Sequence, residues 1–557
     1  MRTRLCLLTA VVATACCSIA VGQQKKDLAY AGSTTARPLL TRHVREVTVS
    51  GQAQLVSHLP AQDMRIVMVL PLQNQTEMEK LLTDLYDPSS PSFRNFLTVE
   101  EFTARFGPSQ SDYDTLINFA ESHGLKVAQT STNRVNLDVT GSVADIEAAL
   151  HVTINVYQHP TESRTFFAPD REPSLDLPFA LWHISGLDTY SLPKPALVKR
   201  PAGAVPQATT GSCPSSSFCG SDMRAAYYGG TLTGTGQTVG LLEYYGTDLA
   251  DLTTYFKNSG QTNNVPITLL SVDGASVNCK YPSCDDTEQT LDMTQALGMA
   301  PGLAGLVMFI GKASPLDDAG ILNSMATHVP LVAQLSASWT WTPADPNTDN
   351  PYFMEFAMQG QNYFNAAGDS GEWRTGSEIW PSDSVYVTSV GGTDLSTTGP
   401  GGAWASETAW VDGGGGVSPN KFAIPSWQTA IAGRCSACSK TYRNGPDVSA
   451  NSNFTFYVCA DQTTCSANLY GGTSFATPMW AGYLALANEE AVTKSGKTLG
   501  FINPMLYKIA ASPKYDVWFH DITLGSNGHS ATTGYDLATG LGSPFGTGLT
   551  TGLFSIQ

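Results

Sequence analysis

A serine at the start of an apolar helical stretch is the strongest candidate nucleophile in this 557-residue chain. Ser474 follows a Gly-Gly-Thr segment and precedes a predicted helical run over residues 481–491. A helix N-terminus offers free N–H groups and a favourable dipole to a developing oxyanion. A helix-capping serine, with Pro478 tolerated in the first turn, gives the same pattern, so this segment alone leaves both interpretations open.

A nucleophilic serine needs a base, and histidine is the usual one. After residue 210 the histidines are His328, His520 and His529, and none lies in a segment typical of a catalytic histidine. Carboxyls are the other option, because Glu288 and Asp292 are four residues apart in a predicted helix. Their side chains then project from one face, close enough to share a proton. A solvated acidic first turn is the structural alternative.

A further acidic candidate, Asp369, ends an apolar predicted strand within an Ala-Ala-Gly-Asp-Ser-Gly segment. Strand ends host functional residues in open α/β sheets. An ordinary Asp-Ser-Gly turn produces the same pattern and stays the alternative.

The elements that position these residues fall into two parts. Residues 64–157 follow a β-α-β-β-α-β order, which is the split pattern of a ferredoxin-like α+β domain. Thr98 and Glu101 in this part have the spacing of a capping box. From residue 238 onward, short apolar runs alternate with helical stretches. This alternation predicts an α/β domain with a mostly parallel sheet and helices on both faces.

A proline-rich segment carrying Lys194, Lys199 and Arg200 separates the two parts and is typical of an exposed, cleavable linker. Charge changes across it: residues 1–210 hold 18 basic and 20 acidic side chains, and residues 211–557 hold 13 and 28. We therefore divide the chain into a signal peptide (1–22), an activation prodomain (23–190), a linker (191–210) and a catalytic domain (211–557). This is the layout of a propeptide ahead of a secreted enzyme.

Composition excludes several functional classes. With 42% hydrophobic and 14% charged residues, the chain is globular rather than disordered. A net charge of −17 argues against nucleic acid as a partner. No internal run reaches eighteen apolar residues, so no membrane span is predicted after the N-terminus. We expect a monomer.

The N-terminus predicts export to the extracellular space. Arg2 and Arg4 precede an apolar run, and Ala20 opens a small-residue cleavage site, as in a secretory signal peptide. Eight cysteines beyond this segment form close pairs, which favours local disulfides in an oxidising compartment. The pairs are Cys213/Cys219, Cys279/Cys284, Cys435/Cys438 and Cys459/Cys465. Zinc binding by the Cys435/Cys438 pair is the alternative.

Taken together and in order, these segments resemble the sedolisin family of serine-carboxyl peptidases. The resemblance extends from about residue 64 to the C-terminus. It is carried by Glu288-x-x-x-Asp292, Ser336-Ala337-Ser338-Trp339, Ala366-Ala367-Gly368-Asp369-Ser370-Gly371, Trp380-Pro381, Gly391-Gly392-Thr393 and Gly472-Thr473-Ser474. Tyr86-Asp87-Pro88 and Phe106-Gly107-Pro108 likewise resemble the family's activation prodomain. The resemblance implies a subtilisin-like, mostly parallel sheet flanked by helices, preceded by a ferredoxin-like prodomain.

The resemblance also implies a role for each candidate residue. Ser474 matches the nucleophile, Glu288 the general base and acid, Asp292 its orienting partner, Asp369 the oxyanion-stabilising acid, and Glu243 and Trp339 the outer hydrogen-bond network. Carboxyls suit work in acid, because a glutamate near its ordinary pKa of about 4.3 titrates at pH about 4, where histidine is charged. An aspartate that donates to an oxyanion must be protonated, which again points to acid.

A C-terminal loop resembles the family's calcium site. The implied Ca²⁺ ligands are Asp521, Asp536 and the carbonyls of Ile522, Thr532 and Gly534. Two aspartates that bracket glycine-rich loops can supply oxygens to a hard cation, and plain turns are the alternative.

The leading hypothesis is a secreted, acid-acting serine-carboxyl peptidase that cleaves protein or peptide substrates, as an endopeptidase or a tripeptidyl peptidase. It is made as a self-activating precursor with its prodomain as intramolecular inhibitor and chaperone. The alternatives are a histidine-dependent subtilisin-type protease and a non-catalytic secreted binding protein on the same scaffold.

Overall fold

The computed structural model describes residues 36–201, 209–342, 344–462 and 464–555. The predicted signal peptide lies outside these residues, as does part of the predicted linker. The strands of the N-terminal part are β1 (Arg37–Pro38), β2 (Leu55–His58), β3 (Asp63–Val69), β4 (Lys126–Thr130), β5 (Asn136–Ser142), β6 (Ile154–Gln158), β7 (Thr165–Pro169), β8 (Ser174–Leu175) and β9 (His183–Ser185). Its helices are α1 (Glu46–Val49), α2 (Gln75–Tyr86), α3 (Val99–Phe106), α4 (Gln110–Ser122) and α5 (Val143–Leu150).

The N-terminal part is built on an antiparallel sheet in the order β4-β5-β3-β9. Side chains of β3 alternate between two cores, because successive residues of a strand point to opposite faces. Ile66 and Met68 pack with residues of α4 and α5. Val67 and Val69 pack with residues of the larger domain. One face of this sheet therefore docks on the catalytic domain.

Two local predictions for this part have different outcomes. The capping box is confirmed, since Glu101 N donates to Thr98 Oγ1 and Thr98 N donates to Glu101 Oε2. The last strand of the split pattern, β6, does not join the main sheet. It forms a three-stranded sheet with β2 and β7, and β9 takes the place beside β3. The β6–β7 pairing is a local hairpin, which closes a shorter loop than a return to β3.

The remaining strands are β10 (Lys194–Pro195), β11 (Val198–Lys199), β12 (Thr238–Glu243), β13 (Ile267–Ser271), β14 (Gly305–Ile310), β15 (Gln334–Ala337), β16 (Trp339–Thr340), β17 (Asn362–Ala366), β18 (Thr388–Thr397), β19 (Trp404–Ala409), β20 (Gly416–Val417), β21 (Asn444–Gly445), β22 (Val448–Asn451), β23 (Tyr457–Ala460), β24 (Thr464–Ala467), β25 (Tyr470–Gly471), β26 (Phe519–His520) and β27 (Ser543–Pro544). The remaining helices are α6 (Gly220–Tyr227), α7 (Leu249–Asn258), α8 (Thr287–Met299), α9 (Asp318–Thr327), α10 (Pro346–Met358), α11 (Thr429–Ala432), α12 (Thr473–Ser495), α13 (Asn503–Ala510) and α14 (Gly546–Ser555).

The catalytic domain is an α/β fold around an eight-stranded sheet in the order β13-β14-β12-β15-β17-β18-β19, with β22 also paired to β18. Every pair is parallel except β18–β19. Leu241 packs in the core that contains α8 and α12, and its neighbour Leu242 packs in the core that contains α9 and α10. Helices therefore cover both faces, and the predicted fold class is confirmed.

The segment predicted as an exposed linker is partly buried. Strand β10 pairs antiparallel with β16, and β11 pairs antiparallel with β25. Ser191, Pro193 and Ala196 are buried. The short edges of β16 and β25 offer backbone partners that the linker's own composition does not reveal, so the predicted exposure holds only for some of its described residues, such as Lys194 and Pro195.

The four predicted cysteine pairs form disulfides, Cys213–Cys219, Cys279–Cys284, Cys435–Cys438 and Cys459–Cys465. The Cys435–Cys438 bond removes the thiolates that the zinc alternative requires. Among the described residues, no helix combines the length and apolar character needed to cross a bilayer.

Candidate active site

Ser474 lies in the first turn of α12 and is fully buried. The helix begins after Gly472, whose φ of 152° is a conformation that side chains rarely adopt. A Cβ built on Gly472 would lie 2.2 Å from the carbonyl oxygen of Ala196 and 2.7 Å from Asp369 Oδ2. Glycine is therefore required here both for the turn into the helix and for the close approach of these two oxygens.

Glu288 and Asp292 lie in the first two turns of α8, which packs beside α12. Their exposed fractions are 4% and 0%, so the alternative of a solvated acidic turn does not apply. The Ser338 hydroxyl donates a 2.8 Å hydrogen bond to Asp292 Oδ1. Helix α8 thus presents both carboxyls to the interior on the side that faces the nucleophile.

Glu243 and Trp339 extend the carboxyl network. Glu243 ends β12 and Trp339 lies just after β15, so neighbouring parallel strands carry them to the same edge of the sheet. The Trp339 indole Nε1 donates a 3.0 Å hydrogen bond to Glu243 Oε2. Glu243 is also close enough to Asp292 for its charge to raise the pKa of Asp292. The structure therefore places Glu243 next to Trp339 and close to Asp292.

Burial raises the pKa of each of these carboxyls well above its ordinary value. For Glu288 the charge of Asp292 adds to burial, and the hydroxyls of Ser474 and Ser338 oppose the rise in its pKa. For Asp292 and Glu243, burial and the charge of a neighbouring carboxyl raise both pKa values. Like charges this close cannot all ionise, so the cluster holds protons that it can exchange.

Asp369 follows β17 and faces the N-terminus of α12. Its Oδ1 accepts hydrogen bonds from Thr473 N (2.8 Å) and from the Thr473 hydroxyl (2.9 Å). Its Oδ2 has no hydrogen-bond partner and lies beside Gly472. Burial raises the pKa of Asp369 to about 8, with the Thr473 hydrogen bonds opposing. The carboxyl therefore keeps a proton on Oδ2 that it can donate.

The Ser474 hydroxyl lies between the carboxyl cluster and the cleft. Its Oγ is 3.5 Å from the carbonyl of Ser338. Neither carboxyl oxygen of Glu288 has a hydrogen-bond partner within 3.5 Å, although Ser474 is close enough to influence its pKa. Catalytic hydrogen bonds are often long in a resting site and shorten in the complex with substrate.

A peptide carbonyl of the chain itself occupies the cleft. Ser474 N donates a 3.1 Å hydrogen bond to the Ala196 carbonyl, and Ala196 N donates a 2.8 Å hydrogen bond to the Ser338 carbonyl. Strands β10 and β11 continue the segment on either side as antiparallel partners of the cleft walls. The linker thus lies across the nucleophile in an extended conformation, as a bound peptide would.

The histidines of this domain lie elsewhere. His520 stacks on Trp404, His529 is 3.7 Å from Glu372, and His328 packs against Phe309. Within the described parts of the chain, Ser474 has no hydrogen bond to a histidine. This geometry gives no support to a histidine-dependent mechanism.

Two side chains of the site had no role assigned from sequence. Thr473 holds Asp369 in place, and Ser338 contacts both Asp292 and the backbone of Ser474. Both residues lie inside motifs that the sequence analysis used, directly before Ser474 and Trp339. Their position next to those residues was the one signal that could have identified them.

The predicted calcium loop contains two aspartates, of which Asp521 is partly buried and Asp536 is buried. Asp521 accepts hydrogen bonds from Gly534 N, and Asp536 accepts them from Thr532 N, Ala538 N and Thr539 N. Neither aspartate has an ion pair to a lysine or arginine within the described ranges.

The donor set of this loop fits a hard cation only if carbonyls take part. Among the described residues no cluster of three or more His, Cys, Asp or Glu side chains could hold a metal. No described residue donates a hydrogen bond to the carbonyls of Ile522, Thr532 or Gly534. Two carboxylates and free backbone oxygens are the ligand types that Ca²⁺ uses.

Comparison with known proteins gives matches to both parts of the chain. A family model described as the Pro-kumamolisin activation domain matches residues 52–187. Kumamolisin of Bacillus sp. (strain MN-32) is 31% identical over 525 residues, covering 87% of this chain and 90% of that protein. Sedolisin of Pseudomonas sp. (strain 101) is 25% identical over 546 residues, covering 89% of this chain and 88% of that protein.

A solved structure supports the same relationship. Pseudomonas sedolisin, a serine-carboxyl proteinase complexed with two molecules of pseudo-iodotyrostatin, aligns with a TM-score of 0.52 at 25% identity. The alignment covers 63% of this chain and 100% of that chain.

Proposed function

The chain belongs to the sedolisin family and is a serine peptidase of that type, and from this premise we propose that it hydrolyses peptide bonds in acid with a serine nucleophile and a carboxyl base. The observation that carries this proposal is the position of one peptide carbonyl, that of Ala196, at Ser474 and beside Asp369. Ser474 N donates to the Ala196 oxygen, and both this oxygen and Asp369 Oδ2 lie beside Gly472. The residue of the proposed nucleophile and the proposed oxyanion acid therefore lie at the same carbonyl.

In the proposed mechanism, Glu288 reacts in the form in which it is ionised and Asp292 is protonated, and it accepts the Ser474 proton as Oγ attacks the carbonyl carbon. Negative charge then develops on the carbonyl oxygen, where Ser474 N and the protonated Asp369 donate hydrogen bonds. Glu288 next gives its proton to the leaving amine, and an acyl-enzyme forms. Water attacks this ester by the same route, and the carboxyl product leaves.

Asp292 and Glu243 support this proton transfer without touching the substrate. Each lies close enough to another carboxyl of the cluster for its charge to raise that group's pKa, and Asp292 places a second acidic group beside Glu288. The Ser338 hydroxyl and Trp339 Nε1 hold the two carboxyls in position. In this proposal the proton on Glu288 comes from the buried carboxyls of Asp292 and Glu243 rather than from bulk water.

We assign self-processing to the peptide bond between Ala196 and Leu197. The Ala196 carbonyl occupies the oxyanion position, and Val198 on the far side pairs with Gly471 of the cleft wall. This bond lies within the predicted linker. N-terminal sequencing of protein held at pH about 4 should give Leu197 as the first residue of a processed form, and a first residue beyond Cys219 would contradict this assignment.

Secretion, an extracellular location and a monomeric state belong to the same proposal. Four disulfides support secretion, because they form in oxidising compartments. The fit of the Asp521–Asp536 loop supports calcium as a structural ion. The prodomain acts as the intramolecular inhibitor, since the linker blocks the nucleophile.

Single substitutions test the mechanism. Ser474→Ala, Glu288→Gln and Asp369→Asn should each reduce self-processing at acid pH by about a hundredfold or more, as loss of one oxyanion donor alone does. Glu355→Gln is the matched control, because Glu355 is also buried with its pKa raised to about 8 by burial but contacts Asn133 and Gln359 instead. Wild-type processing by Glu288→Gln would reject the mechanism, since no other base is proposed.

A further inference from the structure

One side chain of the bound linker forms an ion pair with the wall of the cleft. Lys194 Nζ lies 2.7 Å from Glu378 Oε2. Glu378 belongs to the loop that follows Asp369, and it lines the same cavity as the linker residues. The pair therefore joins the segment that occupies the cleft to the catalytic domain.

The register of the linker gives the position of Lys194 relative to the proposed scissile bond. Ala196 presents its carbonyl to Ser474 N, so Lys194 is the third residue before the bond that we assign as scissile. Lys194 lies opposite Thr340 in the β10–β16 pair. In an extended strand, residues two apart point to the same side, so Lys194 and Ala196 face one wall of the cleft.

The cleft on this side contains a cavity of about 480 Å³, and its lining includes Trp373, Ile379 and Glu378. Ala196 and Lys194 also line this cavity, and Lys194 Nζ contacts the Glu378 carboxylate. Among the ion pairs of the described residues, Lys194 is the one partner of Glu378. Release of the linker would therefore leave this carboxylate without a cation.

We propose that Glu378 makes this enzyme select substrates with lysine or arginine as the third residue before the scissile bond. The inference rests on the proposed function, because it takes the linker register as that of a substrate. Both side chains of the pair are partly exposed, at 54% for Lys194 and 39% for Glu378. Exposed pairs contribute little, so the expected preference is about two- to fivefold in kcat/KM.

Peptides based on the linker sequence test the proposal with enzyme that has processed itself in acid. Three peptides share the sequence Pro-Ala-Leu-Val and differ in the preceding residue, which is Lys, Gln or Glu. Wild-type enzyme should cleave all three after Ala, with kcat/KM in the order Lys, Gln, Glu. Glu378→Gln should abolish the order, and Glu378→Lys should reverse it. Mass spectrometry checks that the cleaved bond is the same throughout.

The matched control is Glu372→Gln, because Glu372 lies on the same loop but pairs with Arg374. This variant should keep the wild-type order. An unchanged order in Glu378→Gln would overturn the proposal, and so would a lysine preference found only in the residue directly before the cleaved bond. Failure of wild-type enzyme to cleave any peptide would instead reject the peptidase mechanism, and this inference with it.

Discussion

Two of the buried carboxyl clusters in this molecule resemble each other in charge but differ in what surrounds them. The catalytic cluster joins Glu243, Asp292 and Glu288 within one domain. The interface cluster joins Asp138 of the prodomain to Asp273 and Asp317 of the catalytic domain. Burial is the first cause of a raised pKa for Asp138 and Asp317, as it is for the catalytic carboxyls.

The difference lies in the partners. Arg65 of the prodomain donates a 3.0 Å hydrogen bond to Asp273 and is 3.3 Å from Asp138, so the interface cluster contains a cation. No lysine or arginine ion pair to the catalytic cluster exists in the described parts of the chain. The catalytic cluster instead has a serine hydroxyl beside it.

A raised carboxyl pKa therefore indicates that the group is buried, and it does not by itself identify a catalytic group. Burial raises carboxyl pKa values in both clusters, yet one of the two lies beside Ser474, the proposed nucleophile. The interface cluster connects two domains and acts on their association. Geometry around a cluster, rather than its proton affinity, therefore decides its role.

The largest expected effect compares one carboxyl from each cluster. Asp292→Asn should slow self-processing about a hundredfold, because Glu288 loses the acidic group that shares its proton. Asp317→Asn should leave processing within about tenfold of wild type, since Asp317 contacts no reacting atom. Gel analysis of both precursors at pH about 4 measures the rates. Equal losses would show that the two clusters are not functionally distinct.

The Asp521–Asp536 loop is a third acidic site, and a bound calcium ion is proposed to neutralise its carboxylates. A chelator should lower the melting temperature, since calcium at about a hundred times its Kd stabilises by about 2.7 kcal/mol. Differential scanning calorimetry with and without chelator measures the shift. Asp521→Asn should make it much smaller, whereas Asp516→Asn, at an exposed position nearby, should leave it unchanged. No shift in wild type, together with no bound metal, would reject the site.

The cation of the interface cluster gives the next prediction. Arg65→Met in a Ser474→Ala precursor should destabilise the prodomain by about 2 kcal/mol, because it leaves buried carboxyls without their cation. The melting transition should fall by about 5 °C. Arg105→Met is the control, because its ion pair with Glu77 is exposed. An equal effect of both substitutions would show that the buried position of Arg65 adds nothing.

The same two clusters show which buried carboxyls could be located from the sequence and which could not. Glu288 and Asp292 share one helix at a fixed spacing, and Ser474 and Asp369 lie in short contiguous motifs, so a local pattern located all four. The interface carboxyls at positions 138, 273 and 317 come from three distant segments, and no spacing rule relates them. Only the docking of the prodomain sheet brings them together.

The fold shows the same limit. Long elements such as α8 and α12 were predicted because their apolar pattern and end signals are local. The pairing of β10 and β11 with the cleft walls was missed, because two-residue strands depend on partners far along the chain. The position of β6 was missed because its hairpin partner, β7, was not predicted from the sequence.

The remaining prediction concerns the pH dependence that Asp138 adds to stability. Burial, together with the charge of Asp273, raises the pKa of Asp138 to about 8, and Arg65 opposes the rise. The folded precursor therefore binds this proton more tightly than the unfolded chain, where an aspartate has a pKa of about 3.9. Its contribution to stability is complete below pH about 4 and is lost as pH rises toward about 8, by at most about 1.4 kcal/mol per pH unit.

Asp138→Asn removes this one titration while preserving the shape of the side chain. In a Ser474→Ala precursor, the melting temperature of this variant should fall less steeply between pH 5 and pH 7 than that of the parent. Glu121→Gln, at an exposed position of α4, should follow the parent. If the melting temperature of the variant fell with pH as steeply as that of the parent, Asp138 would have the same pKa in the folded and unfolded states. Because acid strengthens this contact between the domains, release of the prodomain in acid must come from cutting the linker at the nucleophile, and a flatter curve for Asp138→Asn would support that order of events.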